Sequence, residues 1–204
     1  MAASLPFIDP CVPRPVKQPP KGEHWLHEPK LDGWRCQAVK VGSSVTLYSR
    51  HGHDLTKRFP TIATAVAKLP CKSCVLDAEI VQTDARGIDF YGLLAGKQTR
   101  NVRLWAFDLL EREGKDLRDL PLVERKAKLE KLLQRAGPAG VGFVASFDDG
   151  DALMLGCMEQ SLEGVVSKRR DAPYRSGSRP EWVKSKTPTW RQANKDRWER
   201  MQGR

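Results

Sequence analysis

Three short runs carry charge inside what otherwise reads as core strand: "VLDAEIV" (75–81), "EGVVSK" (163–168) and "EWVKSKT" (181–187). Strand geometry sends alternate side chains to opposite faces. Leu76, Ala78 and Ile80 therefore share one face, and Asp77 and Glu79 the other. Trp182, Lys184 and Lys186 point one way, while Glu163 and Lys168 fall on opposite faces. A buried charge is costly unless it is paired or meets a ligand. One such strand is an ordinary solvent face with salt bridges. Several together predict a polar, concave site lined by sheet residues.

The rest of the chain alternates strand and helix signals. "WRCQAVKVG" and "SVTLYSR" flank Gly42-Ser43-Ser44 and read as a β-hairpin. "PTIATAVAKLP" reads as a short helix bounded by prolines. "CVLDAEIVQ" is a strand ending in the turn "TDARG", and "VRLWAFDLLEREGKDL" is a second hairpin turning near Glu113-Gly114. "PLVERKAKLEKLLQRAG" is the clearest helix: Pro121 starts it, Leu122, Leu129, Leu132 and Leu133 form its stripe, and Gly137 ends it. "DALMLGCMEQS" predicts another helix before the last two charged strands. The mixture is an α+β pattern, with antiparallel β-sheets flanked by helices.

At 204 residues and 40% hydrophobic content, the chain has the means for a packed core. The first 22 residues are proline-rich and read as an extended strap, without the basic-then-apolar order of a secretory signal. Five cysteines show no disulfide regularity. The lone C-x-x-C of Cys71 and Cys74 lacks the second pair that a zinc site needs, so reduced thiols in a cytoplasm are expected. The net charge is +10, and from residue 165 onward twelve Lys/Arg stand against four Asp/Glu. A basic segment of that kind points to a polyanion, most simply nucleic acid, or to a solvated tail.

Lys30 is the candidate nucleophile. It lies in "HEPKLDGWR", with Glu28 upstream and Asp32 and Arg35 after it. At an ordinary pKa, only about one lysine in 2,500 is neutral at pH 7. A nucleophilic lysine needs desolvation or nearby positive charge. Lys184 and Lys186, or a metal ion held by Glu163, supply it and neutralise a phosphate under attack.

"KLDGWR" resembles the K-x-D-G-x-R motif of the covalent nucleotidyltransferases: ATP-dependent DNA ligases, RNA ligases and mRNA-capping guanylyltransferases. "SRHG", "LDAE", "WAFDLL", "EGVVSK" and "WVKSK" resemble the family's later motifs in their order, from about Trp25 to Lys186. "WLHE", "RFP" and "YRSG" are most similar to the ligase domain of bacterial end-joining ligases and their small stand-alone relatives. The resemblance implies an ATP-grasp-like adenylation domain over 23–188, with ATP and Mg2+ or Mn2+ as cofactors and AMP carried on Lys30. It implies Glu28 beside the adenine amino group, Arg35 and Glu79 on the ribose, and Arg50 on nucleotide and nick. Phe107 would stack on adenine with Val166 opposite, although its pattern fits core equally well. Glu163 would bind the metal, Lys184 and Lys186 the α-phosphate, and Asp32 would assist at the nick. Pro29 and Ala78 depart from the family pattern without removing a reacting group.

Eighteen residues follow Lys186, too few for the OB-fold domain that family ligases usually carry there; 189–204 reads instead as a basic helix or tail. Lys168, Arg175, Arg191, Lys195 and Arg197, with Arg50, are the expected DNA contacts. The expected partners are nicked double-stranded DNA and a repair or end-joining protein, in the cytoplasm at the nucleoid. The alternatives are an RNA-end ligase or guanylyltransferase, and a non-catalytic module that binds nicked DNA or nucleotide.

Overall fold

The strand β5 (Ser73–Asp84) shows how the sequence organises the molecule. Leu76, Ala78 and Ile80 enter a core packed under helices α1 (Pro60–Ala67) and α2 (Leu122–Ala136). Val75 enters a second core with Phe107, Tyr174 and Trp182, and Asp77 and Glu79 turn to the same side as Val75. A computed structural model of the chain describes residues 7–84, 87–88, 93, 101–136 and 140–193. Within it, β5 is the centre of a seven-stranded sheet and the second core is where that sheet faces a four-stranded one.

The larger sheet runs β4 (Ser44–Ser49), β3 (Trp34–Val41), β5, β7 (Val102–Arg112), β8 (Lys115–Asp116). β6 (Gly87–Ile88) pairs with β5, and β9 (Val141–Phe143) runs parallel to β7. The smaller sheet has the order β1 (Cys11–Pro15), β11 (Gly177–Lys186), β10 (Gly164–Arg169), β2 (Trp25–Lys30). Helix α3 (Gly150–Glu159) covers its outer side, with Asp149 capping the first turn. Helix α4 (Pro188–Ala193) follows β11. This is the α+β arrangement that the sequence predicts, with two parallel pairings, β1 to β11 and β7 to β9, in an otherwise antiparallel frame.

Local chemistry explains the joints. Glu113 and Gly114 both take positive φ, 52° and 78°, which makes the two-residue hairpin turn whose twist suits the flanking strands. β5 and β7 pair with register shifts on either side of Leu76 and Asp77, which leaves Phe107 as an extra residue between Asp108 and Ala106. A bulge interrupts the alternation of the strand that carries it. Phe107 lies with Trp105 on the side of the core between the sheets, and the alternation of β7 breaks after it, since Leu109 is in the helix-side core.

Three expectations change. The proline-rich N-terminus is not a free strap along its whole length, because Cys11–Pro15 forms the edge strand β1. β5 continues to Asp84, into the segment read as a turn; residues 85–86 and Gly137 lie outside the described residues. Glu163 and Lys168 face the same side of the small sheet: Glu163 meets Lys30, and Lys168 meets Glu28, two residues away on β2. Gly164 breaks the alternation between them with a φ of 153°. A Cβ there would stand 2.0 Å from the Ser185 carbonyl oxygen, so the close approach of β11 requires glycine.

Candidate nucleotide-binding and adenylation site

The inner faces of the two sheets enclose a cleft of about 280 Å³. β2 contributes Glu28 and Lys30, β3 Arg35, β5 Glu79, β7 Phe107, β10 Val166 and Lys168, and β11 Trp182 and Lys184, with Arg50 after β4. Nine of the residues that the sequence singled out thus share one cavity. Gly33 lets β3 approach β5, since a Cβ would lie 2.2 Å from the Ile80 carbonyl oxygen.

Lys30 stands at one end. Its Nζ donates to Glu163 Oε2 at 2.5 Å, and Lys186 Nζ lies 2.8 Å from Oε1 of the same carboxylate. Burial alone would raise the Glu163 carboxyl, but the two ammonium groups outweigh it and hold it below its ordinary range. Lys184 is pushed down by burial first, then by Lys30 and Lys186. Glu79 is pushed up to about 7, chiefly by burial and against the pull of Lys30 and Arg35; Glu163 and Asp32 add to the rise. Lys186 also sits 3.9 Å from the centre of the Trp190 ring, on α4.

A second clamp closes the opposite end. Glu28 Oε1 accepts from Lys126 Nζ at 2.6 Å, and Lys168 Nζ lies 2.5 Å from Oε2. The Lys168 contact is a close ion pair with the second oxygen of the same carboxylate. The ammonium rests over the rings of Phe107 and Trp182, at 4.4 and 4.1 Å. Lys168 is 1% exposed, so it is not a surface DNA contact; the apolar floor of the cleft and the Glu28 charge draw it inward.

Arg35 lines the cleft, but its fork is engaged: Nε and Nη2 each donate to Asp77 at 2.6 Å. Tyr174 donates to Asp77 Oδ2 at 2.6 Å and accepts from the Cys11 N–H at 2.9 Å, which ties β1 to the cleft wall. Arg175 is on the surface, paired with Asp119 at 2.8 Å, and Arg191 is exposed on α4. Lys195 and Arg197 lie outside the described residues. Asp32 sits in the turn before Gly33 and acts on Glu79 through its charge.

Both departures from the family pattern have a place. Ala78 points into the helix-side core, away from the cleft. Pro29 is on edge strand β2, where the neighbouring odd position, His27, exchanges backbone hydrogen bonds with Phe147 on the side away from β10. Its missing N–H therefore costs no bond to β10.

Sequence reasoning missed Lys126, Asp77 as the anchor of Arg35, and the wall formed by Pro10–Pro13. Lys126 did carry a signal, since it falls on the stripe of α2, four residues after Leu122 and three before Leu129. Asp77 carried another, its shared strand face with Glu79.

The donor set near Lys30 bears on a metal. Among the described residues no group of three or more His, Cys, Asp or Glu side chains forms a cage. Both Glu163 oxygens face lysines. One or two carboxylates suit a Mg2+ held mostly by water and phosphate oxygens, and Glu163 with Glu79 fits that description.

A family model described as "ATP dependent DNA ligase domain" matches residues 16–186. A Pseudomonas aeruginosa protein described as "Multifunctional non-homologous end joining protein LigD" is 39% identical over 185 residues, 88% of this chain and 22% of its own length. A "Probable DNA ligase" of Dictyoglomus thermophilum is 32% identical over 176 residues, 78% of this chain and 30% of its own. The chain thus spans less than a third of either relative. A solved structure titled "mycobacterial DNA ligase D complexed with ATP and MES" superposes with a TM-score of 0.77 at 29% identity, covering 87% of this chain and 59% of that one.

Proposed function

Because the chain belongs to the ATP-dependent DNA ligase domain family, we propose that it adenylates itself on Lys30 and passes the AMP to DNA nicks in repair. The observation that carries the proposal is the Lys30 clamp: one lysine amine in a cleft beside a carboxylate, with two further lysines around it.

Adenine lies between Phe107 and Val166, with its edge toward Glu28. The triphosphate runs toward Lys184 and Lys186, whose charges stabilise the phosphate as it is attacked. Glu163, 2.5 Å from Lys30 Nζ, holds and orients the amine, whose proton leaves to water. The neutral amine attacks the α-phosphorus; an N–P bond forms, the bond to the β-phosphate oxygen breaks, and pyrophosphate leaves. Glu163 and Glu79 would hold a Mg2+ or Mn2+, which when bound supplies further neutralisation of phosphate charge. The 5′-phosphate of a nick then displaces Lys30 from AMP, and the 3′-hydroxyl displaces AMP to join the strands. Arg50, which lines the cleft, is the proposed contact to the DNA.

The test is label transfer. Wild-type protein incubated with Mg2+ and ATP labelled at the α-phosphate acquires the label, releases pyrophosphate, and passes the label to a nicked duplex. Lys30→Ala does none of these. Label retained by Lys30→Ala, or no label on wild type with ATP, overturns the proposal.

A further inference from the structure

Lys126 is a charged residue on the buried face of α2: Arg125 and Leu129 beside it are 0% exposed and Lys126 itself 4%, while Ala127, Lys128, Glu130 and Lys131 are exposed. Desolvating an ammonium costs several kcal/mol unless partners replace the water. Here they do. Lys126 Nζ donates to Glu28 Oε1 at 2.6 Å and to the Val144 carbonyl oxygen at 2.9 Å, and lies 4.6 Å from the centre of the Phe143 ring. Glu28 and Val144 both line the cleft, on opposite sides of that ammonium.

We propose that Lys126 is a positioning residue for base recognition: by fixing Glu28 against the Val144 backbone, it sets the acceptor that reads the exocyclic amino group of a 6-aminopurine. The inference rests on the adenylation reading and adds a residue outside all of its motifs. Each carboxylate oxygen has two acceptor directions. Lys126 occupies one on Oε1 and leaves another for the ligand. Without Lys126, the charge of Glu28 is drawn to Lys168 alone, over the Phe107 and Trp182 rings. The carboxylate then swings away from the base edge. Lys126 touches neither the phosphates nor Lys30, so its loss acts on nucleotide binding and not on the chemical step.

The experiment compares ATP with purine riboside triphosphate, which lacks the amino group, as substrates for Lys30 adenylation by wild type, Lys126→Arg and Lys126→Met. A hydrogen bond to a charged acceptor is worth about 10- to 100-fold, and wild type prefers ATP by that factor. In Lys126→Met the preference falls to within about threefold of unity, through a higher KM for ATP with kcat little changed. Lys126→Arg restores part of it. Lys126→Gln, neutral but still a donor in the buried site, takes the place of Lys126→Met where the latter does not fold. A merely structural lysine weakens both nucleotides alike, and an unchanged preference in Lys126→Met or Lys126→Gln overturns the proposal while wild-type adduct formation leaves the adenylation reading intact. Wild type that forms no adduct with either nucleotide sinks both.

Discussion

Two glutamates at this cleft are each held by two lysines, one on each oxygen, yet their surroundings differ. Glu28 lies between Lys126 and Lys168, whose side chains are 5% and 1% exposed. Glu163 lies between Lys30 and Lys186, at 21% and 17%. The deep clamp is walled by helix α2 and two aromatic rings. The more exposed one reaches the cleft through Lys30. A sealed ion pair cannot exchange its partners for water, so breaking it leaves a bare buried charge. A pair at a cleft can exchange carboxylate for phosphate as a ligand arrives. Under the proposed reaction the same three-residue arrangement serves as architecture at the base end and as chemistry at the phosphate end.

Removing each glutamate breaks the comparison most sharply. Glu28→Ala strands two buried ammonium groups and costs about 3–5 kcal/mol of stability, a fall in Tm of roughly 10 °C for a chain of this size. Glu163→Ala leaves Tm within a few degrees and lowers the rate of Lys30 adenylation by about a hundredfold or more. Thermal melts beside label incorporation separate the two; equal losses of stability would erase the distinction.

A smaller effect is expected at Trp190, whose ring flanks the more exposed clamp. A cation–π contact of about 0.5–2 kcal/mol corresponds to a slowing of adenylation by roughly three- to thirtyfold in Trp190→Ala. Trp190→Phe should recover most of it. A Trp190→Ala enzyme with wild-type kinetics would detach α4 from the site.

The smallest effect is on stability against pH, from the far side of β2. His27 is buried behind Glu28, with Nδ1 2.8 Å from Ser167 Oγ and the start of α3 against its ring. Burial, the largest cause, pushes its imidazolium below the ordinary 6.5. Below pH 6.5 the unfolded chain takes up a proton that the folded chain refuses, so stability falls as pH drops through that window. The slope from this one group is at most about 1.4 kcal/mol per pH unit. Chemical denaturation of His27→Gln between pH 5 and 8 should show a flatter dependence, and an unchanged slope would exclude His27 as its source.

Much of this was legible in the chain because strand alternation is a strict code. Glu79, Trp182 and Lys184 line the cleft, and Asp77, on the strand face of Glu79, anchors Arg35 behind its wall. The code failed where backbone geometry departs from ideal. Gly164 turned Glu163 to the side of Lys168, and the register shift after Phe107 sent Leu109 to the helix-side core. It failed also where tertiary packing overrides a residue's usual place. Lys168 was expected as a DNA contact and Lys126 was not singled out, because a lysine's sequence neighbours do not name the buried glutamate it will meet. The parallel partner of β1 lies more than 160 residues away along the chain, beyond the reach of periodicity.

The central claim is that Lys30 is the residue that takes AMP. Peptide mass mapping after incubation with ATP and Mg2+ tests it directly. The account predicts an AMP adduct on the peptide containing Lys30, absent in Lys30→Ala and strongly reduced in Glu163→Ala. An adduct on any other lysine, Lys184 or Lys186 above all, would contradict it.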